Sequence, residues 1–508
     1  MLKNLNKNSL KTYINFDFIL FFIILFSFIY LVIISFYSYE NFNFTSDFFH
    51  HFSVIRNIHD GLGPFEGPKY QYMFGNHTYL FYYLISPFLY LYNDPKILLL
   101  VNISAIFLSS YLIYYISKKI LQNLDSNNFI SFLFAISFLI FPTVFKAYYY
   151  QIYGHQPDTL ATPLFLCLFL FILQNRIILT LIFLGLLLCV KEEFILIVPA
   201  LVIFTIIIQK LFNLNGITWN RKNSILVITT YIFFSFLVLL ILFFSKSLNE
   251  YPYLPVFWNK AIFSNELIYL SIYKFIKIIA PGVIFMSIIY FSTRFEKKIL
   301  VLILLLLLST FLRVSENVII YGDPNGSAWA NLILAPIHFI IFILALKTFY
   351  ETRKRNSYLL FIGFFSYLLL SIINNYYAKD SGVIRSINFF NSKASLSEVI
   401  SETKKLQSIM VKKNKYDYFI ANEFLFYPFM EMSHVSLRWV ETFPEESGGD
   451  SHVRQKRIIA DAAYILIFKK NREYFPETRI GILSENFYKS LENNKEILYE
   501  SDLFLLLK

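Results

Sequence analysis

Charge and cysteine are scarce in this chain of 508 residues. Only 16% of its residues are charged and 56% are hydrophobic, whereas an ordinary soluble domain carries about 25% charged residues. A chain this apolar holds more hydrophobic side chain than a water-facing fold can bury, which excludes a wholly soluble protein. The two cysteines, Cys167 and Cys189, lie inside apolar runs without a CxxC or Cys/His cluster. The sequence therefore predicts neither a disulfide framework nor a zinc site.

The signature motifs of several enzyme classes are also missing. The sequence contains no Walker A loop, Rossmann glycine pattern, GxSxG elbow, HExxH motif or EF-hand loop. These absences argue against ATP-driven pumping, nicotinamide chemistry and zinc proteolysis by their usual motifs. The net charge of +11 would suggest a nucleic-acid partner in a soluble protein. In a membrane protein, topology accounts for much of that excess, so no nucleic-acid partner is predicted.

Long apolar runs are what the sequence has in abundance. A helix needs roughly 20 apolar residues to cross the hydrocarbon core of a bilayer. We predict eleven spans, at 16–37, 97–117, 129–145, 159–173, 177–190, 194–212, 225–245, 278–293, 299–312, 329–346 and 358–373. The first run is too long for a signal-peptide core and is expected to stay as an anchor. The apolar piece 79–92 is interrupted by Pro87, which favours a re-entrant or interfacial helix over a crossing.

The distribution of positive charge predicts the orientation. With the N-terminus inside, the inner segments total 60 residues and hold 16 Lys and Arg, whereas the outer segments are about twice as long and hold 10. Cytoplasmic loops collect Lys and Arg, so an N-terminus in the cytoplasm is favoured. We thus predict an all-α polytopic membrane bundle over residues 1–373, with a long first outer loop at 38–78.

Residues 374–508 are then expected outside the membrane. They combine a helical stretch at 397–413 with strand-like runs at 416–421, 462–468 and 502–507. Alternating helix and strand signals over this length predict a small C-terminal α/β extracytoplasmic domain.

Ionisable residues that a bilayer disfavours cluster in the predicted outer connections, whereas the inner loops contain no histidine. This asymmetry predicts one polar cavity that opens outward. The candidate site residues are Asp47, His77, His155, Asp158, Lys191, Glu192, Glu193 and Arg313.

Each candidate also has a structural interpretation. The turn Lys191-Glu192-Glu193 is either functional or a tight turn with its charges among the headgroups. Asp47 suits a general base on a sugar hydroxyl or a ligand of a divalent metal, and equally a cap of a helix at 48–59.

The remaining candidates divide in the same way. His77 and His155 are either structural hydrogen-bonding groups or substrate contacts. Asp158 follows Pro157 at the start of a span, where a carboxylate serves as an N-cap or a partner of the helix dipole. Arg313 either pairs with Glu316, one turn away, or binds a lipid phosphate bidentately.

Four motifs in order carry a resemblance to a known family. They are DFFHHFSVIRNIHDG from Asp47, His77 with Pro87, Gln156-Pro157-Asp158 with Pro163, and Val190-Lys191-Glu192-Glu193. This pattern resembles the bacterial predicted-membrane-protein family called domain of unknown function 2079, over most of the chain. That family is similar to the GT-C superfamily of polytopic glycosyltransferases, which take sugars from polyprenyl-phosphate donors on the outer face.

The chain departs from the family pattern at three places. His51-Phe52-Ser53 stands where the family usually has Tyr-Asp-Gln, so a second acid is missing from the first outer loop. Gln156 replaces a histidine, and Glu193 replaces an aspartate with the charge kept.

The resemblance implies an inverting glycosyltransferase of the bacterial inner membrane. It would move a sugar from a polyprenyl phosphate to a lipid, glycan or protein acceptor, with Asp47 as the base. Lys191 or Arg313 would stabilise the leaving phosphate. The contacts to sugar or phosphate, or to a divalent ion (Mg²⁺ or Mn²⁺) if one is needed, would come from His77, His155, Asp158, Glu192 and Glu193. The alternative is a non-catalytic scaffold of this fold, or a lipid or solute transporter.

Overall fold

The structure of the protein is a computed structural model. The residues that it describes are 16–40, 46–64, 78–123, 127–141, 144, 155–248, 265–321, 332–353, 396–411, 417–421, 433–436, 456, 458–469, 491 and 495–508.

Helices make up the described chain as far as residue 353. They are α1 (Phe16–Glu40), α2 (Ser46–His59), α3 (Tyr82–Ile85), α4 (Lys96–Ile120), α5 (Asn127–Leu139), α6 (Asp158–Leu173), α7 (Ile177–Leu188), α8 (Phe194–Leu211), α9 (Arg221–Leu248), α10 (Asn265–Ser292), α11 (Lys297–Tyr321) and α12 (Leu334–Arg353). Ten of the eleven predicted spans coincide with α1 and α4 to α12. The predicted span at 358–373 lies outside the described residues.

Six helices of the described chain are long and apolar enough to cross a membrane: α1, α4, α8, α9, α11 and α12. The helices α5, α6 and α7, and the end of α10 from Gly282, are apolar but shorter. The membrane character of the chain is therefore clear, while the number of eleven crossings stays a prediction.

The interrupted piece at 79–92 is not a crossing helix. It contains α3, of four residues, followed by a 3₁₀ helix at Ser86–Tyr90. Pro87 lies at the start of that 3₁₀ helix, where its missing N–H leaves no hydrogen bond unmade. The backbone N–H of Phe81 donates to the carbonyl of Cys189 at 2.9 Å. This bond ties the piece to the connection between α7 and α8.

Helix α6 lies in the interior of the bundle. Fourteen of its residues are buried, and it packs against α4 and α7. A helix that is apolar all round is expected to be surrounded by protein or lipid rather than water. At 1.5 Å per residue, α6 is about 24 Å long and α7 about 18 Å, which is shorter than a hydrocarbon core of about 30 Å. If these helices cross a bilayer as predicted, polar groups at their ends lie within its depth.

A mixed sheet follows the helices. After α13 (Leu396–Ile409) come β1 (Tyr418–Ala421), β2 (Ser433–Ser436), β3 (Tyr464–Phe468), β4 (Ile497–Glu500) and β5 (Phe504–Leu507). The strand order is β2-β1-β3-β5-β4, with β1 parallel to β2 and β3, and β5 antiparallel to β3 and β4.

The predicted helix at 397–413 coincides with α13, and the three strand-like runs coincide with β1, β3 and β5. Strands β2 and β4 were missed. The predicted domain boundary after residue 373 lies outside the described residues, so the division into two domains and the outer location of the second stay predictions.

Candidate functional site

A buried ion network joins α6, α11 and the turn between α7 and α8. The Nζ atom of Lys191 lies 2.6 Å from Oε1 of Glu193 and 4.0 Å from Oδ2 of Asp158. An Nη atom of Arg313 lies 3.8 Å from Oε2 of Glu193. The exposed fraction of these four side chains is only 3–8%. Two cations alternate with two carboxylates, which is the arrangement that buried charges require.

The position of Asp158 in α6 explains its place in the network. Asp158 is the first residue of α6, and Pro157 occupies the N-cap position without a side-chain cap bond. The N-cap interpretation of Asp158 is therefore wrong. Its location in the first helical turn still favours a negative charge, because the positive end of the helix dipole lies there.

The turn between α7 and α8 places its charges inside the protein. Lys191 and Glu193 are 4% and 5% exposed, so the alternative of a turn with these two charges among the headgroups is wrong. Arg313 reaches the same carboxylate from α11. The side chain of Glu316 lies outside the described part, so a pair between Arg313 and Glu316 stays a prediction.

Glu192 has a different contact from its neighbours. Its Oε2 atom accepts a hydrogen bond from the backbone N–H of Thr78 at 2.9 Å and one from the Thr78 hydroxyl at 3.3 Å. Thr78 directly follows His77, which lies outside the described residues. Glu192 therefore fixes the chain at the position next to the predicted histidine.

A cluster of two histidines and two tyrosines lies beside the start of α6. The His51 ring lies 5.5 Å from Tyr79, 5.8 Å from Tyr82 and 5.6 Å from His155, measured between ring centroids. The hydroxyl of Tyr82 is 2.6 Å from Nδ1 of His51, a hydrogen bond whose donor depends on the tautomer of the ring. Sequence reasoning missed both tyrosines. It placed His51 in the outer connections and noted it as a departure from the family pattern, but did not propose it as a site residue.

His155 is fully buried in this cluster. Burial lowers the pKa of its imidazole to about 3, and the nearby Leu98 carbonyl opposes this shift only in part. Among the described residues, neither ring nitrogen has a hydrogen-bond partner of acceptable geometry. The ring is therefore neutral near pH 7 and presents one donor and one acceptor. A neutral ring suits a hydroxyl group better than a phosphate.

Asp47 is the second residue of α2, whose range confirms the predicted helix at 48–59. It precedes His51 by four residues, so the two positions lie on one side of α2, one turn apart. The side chain of Asp47 lies outside the described part of the structure. Helix α2 thus brings position 47 to the end of the bundle where the histidine and tyrosine cluster lies.

The carboxylates of the network do not fit a divalent metal. Asp158 and Glu193 both face Lys191, whose ammonium would repel a cation. No group of three His, Cys, Asp or Glu side chains with metal-binding geometry occurs among the residues that the structure describes. A divalent ion held by Asp47 or Glu192 stays a prediction.

The fold and the site define a polytopic helical membrane protein with a buried charged centre near one end of its helices. The model of the predicted membrane protein family DUF2079 matches residues 47–474. The chain therefore belongs to this family, as the four motifs indicated.

No curated protein matches the sequence. Six chains of solved structures match the fold, among them ArnT from Cupriavidus metallidurans in a crystal structure bound to undecaprenyl phosphate. The identity to ArnT is 8% and the TM-score is 0.48, over 95% of this chain and 97% of that chain.

Proposed function

We propose that the protein is a membrane glycosyltransferase that moves a sugar from a polyprenyl phosphate to a lipid, glycan or protein acceptor. The observation that carries this proposal is the convergence of polar residues from separate connections at one end of the bundle. Helix α2, the segment from Thr78 to Tyr82, the start of α6, the α7–α8 turn and α11 meet there. All belong to the predicted outer side, where sugars linked to polyprenyl phosphate are used.

The apolar middle of α6 favours an enzyme over a transporter. The polar side chains of α6 are Asp158, Thr159 and Thr162, all in its first two turns, and the rest of the helix is apolar apart from Cys167. A transporter exposes a polar site near the midplane to both sides in turn. The described length of α6 offers no polar path from the ion network to its other end.

The histidine and tyrosine cluster suits sugar hydroxyl groups. Each sugar hydroxyl both donates and accepts a hydrogen bond, and the neutral ring of His155 offers one group of each kind. His51 is held by Tyr82, so its ring orientation is set before a ligand arrives. His155 is thus proposed to contact the sugar, and His77 to contact the sugar or the phosphate.

The transfer would be a single displacement with inversion. Asp47 takes the proton of an acceptor hydroxyl while that oxygen attacks the anomeric carbon. The bond from the anomeric carbon to the phosphate oxygen breaks, and its electron pair leaves with the polyprenyl phosphate.

The ion network would act on the leaving phosphate. Glu193 holds both Lys191 and Arg313, and Asp158 faces Lys191 from the other side. Cations fixed in advance stabilise developing negative charge without reorganisation. Glu192 positions the chain beside His77 through Thr78. In this proposal, Glu193, Asp158 and Glu192 are positioning residues.

The substitution Asp47→Asn tests the base. It removes the proton acceptor at nearly constant size, so we expect transfer to fall by about 100-fold or more. Asp60→Asn is the matched control, because Asp60 lies just after α2, is exposed and pairs with Arg56 and His59. The measurements are surface glycans, accumulated polyprenyl-linked sugars and the abundance of the protein in the membrane.

Two outcomes would contradict the proposal at different levels. Normal transfer by the Asp47→Asn variant at normal abundance would exclude Asp47 as the base. Identical surface glycans and identical polyprenyl-linked sugars with and without the gene would exclude the glycosyltransferase itself.

A further inference from the structure

A polar cleft lies at the opposite end of α6 and α7 from the ion network. Its volume is about 560 Å³ and it is open to solvent. The last turns of α4, the α6–α7 connection and the α8–α9 loop form its walls. These three connections all belong to the predicted inner side of the membrane. The polar residues that line the cleft are Tyr115, Lys119, Gln174, Asn175, Arg176 and Asn215.

The cleft brings together two positive charges, and no acidic residue lines it among the residues that the structure describes. Lys119 and Arg176 both line it, close enough for their like charges to repel. Within the described chain, neither cation has a carboxylate within ion-pair distance. The adjacent Lys118 differs, because its Nζ atom lies 3.3 Å from a carboxylate oxygen of Asp17. The positive-inside rule explains why Lys and Arg occur on the predicted inner side, but it does not explain why two of them line one cleft.

The walls of the cleft are held in a fixed shape. Asn175 has a φ of 57°, in the left-handed region that ends α6. The backbone N–H of Ile217 donates to the carbonyl of Ile172 at 2.9 Å, and the Gln209 side chain donates to the carbonyl of Ile217. A Cβ atom at Gly216 would lie 2.7 Å from the Ile172 carbonyl oxygen. Only glycine allows the loop to approach α6 this closely, so the cleft is formed before any ligand binds.

We propose that this cleft binds the phosphate group of an anionic ligand between Lys119 and Arg176. A phosphate accepts charge-assisted hydrogen bonds, and the fork of an arginine with a neighbouring lysine matches its oxygens. The amide groups of Gln174, Asn175 and Asn215 supply further donors on the same walls. The inference does not depend on the glycosyltransferase proposal, because it concerns other residues at the other end of α6.

Two sources supply this chemistry on the inner side. One is the phosphodiester headgroup of a lipid in the adjacent leaflet, and the other is a soluble phosphate or pyrophosphate. The experiment therefore has two arms, both with the purified full-length protein. In the first, the protein in uncharged detergent is titrated calorimetrically with inorganic phosphate and with pyrophosphate. In the second, it is placed in phosphatidylcholine nanodiscs with increasing phosphatidylglycerol, and bound phosphatidylglycerol is quantified by mass spectrometry.

The variants are Lys119→Gln and Arg176→Gln, with Lys118→Gln as the matched control. Each removes one positive charge, and the control does so one residue away on α4, so a general effect on topology or charge affects all three. We expect binding to weaken by about tenfold or more in the first two variants and to be unchanged in the control. Lys119→Arg should retain binding, since it keeps the charge.

The results distinguish a lipid headgroup from a soluble phosphate, and they also show whether the proposal fails. Binding of phosphatidylglycerol alone identifies a lipid headgroup, and binding of phosphate or pyrophosphate alone identifies a soluble ligand. Binding of none of these probes, or equal weakening in Lys118→Gln and Lys119→Gln, overturns the proposal. If size-exclusion chromatography shows that Lys119→Gln is misfolded, Arg176→Gln is the variant that tests the proposal. Arg176 is exposed, so its replacement removes no buried contact.

Discussion

The substitution Glu193→Gln tests the ion network most directly. Glu193 is the carboxylate that contacts both Lys191 at 2.6 Å and Arg313 at 3.8 Å, and its side chain is only 3% exposed. Glutamine keeps the size of the side chain and some of its hydrogen bonds but removes the charge. The variant therefore leaves an excess positive charge inside the bundle.

The loss of stability expected for Glu193→Gln follows from the burial of the ion network. Removing one partner of a buried ion pair costs about 3–5 kcal/mol, because the other charge is left uncompensated. Asp158 still faces Lys191 at 4.0 Å, so we expect a loss near the lower end, about 3 kcal/mol. Solvent-exposed ion pairs contribute far less to the free energy of unfolding. Glu351→Gln breaks a pair with Lys347 in which the glutamate is 48% exposed, and it should cost no more than about 0.5 kcal/mol.

The assay is unfolding of the purified protein in detergent, with the free energies of both variants compared with that of the original chain. A double variant, Lys191→Met with Glu193→Gln, removes charges of both signs and should recover part of the loss. If Glu193→Gln were as stable as Glu351→Gln, the ion network would not stabilise the bundle and the reasoning from burial would fail.

Two further predictions concern pH and packing. The folded-state pKa of His155 is about 3, below the ordinary histidine value of 6.5. The stabilisation that the neutral ring contributes to the free energy of unfolding is therefore complete above pH 6.5 and is lost as the pH falls toward 3. The loss should be about 1.4 kcal/mol per pH unit, and His155→Gln should flatten this slope; an unchanged slope would contradict a neutral buried ring. Gly216→Ala should destabilise the protein by about 1–3 kcal/mol, because its Cβ meets the backbone oxygen of Ile172. A Cβ atom at Gly282 of α10 would meet only side-chain atoms, those of Leu306 and Phe342, so Gly282→Ala should cost less; equal losses would exclude the close approach to backbone as the cause.

The helices of the bundle could be predicted from sequence because a bilayer leaves the backbone few alternatives. Buried apolar segments must satisfy their hydrogen bonds internally, so long apolar runs such as α9 are helices. Helix ends were less predictable. The run at 129–145 was predicted as one span, whereas α5 ends at Leu139, three residues before Pro142. The short strands β2 and β4 were missed because four residues carry little periodic signal.

The members of the ion network could be predicted from the count of spans and charges, but their pairings could not. The sequence placed Asp158, Lys191 and Arg313 on one side, and the structure brings them together. It did not indicate that Glu193, rather than its neighbour Glu192, faces both cations. Adjacent residues of a turn point in different directions, and only the packing of α6 and α11 selects between them. The inner cleft was missed because its cations look like ordinary topological charges.

The shortness of α7 has a consequence for the surrounding lipid. Its twelve residues span about 18 Å, and Ile178 and Ile182 on one side of it are exposed. If α7 crosses the bilayer as the sequence predicts, acyl chains of ordinary length are mismatched to it, and the two leaflets thin beside it or admit water at its ends. Lipids with short or disordered tails should therefore gather along that strip of the protein.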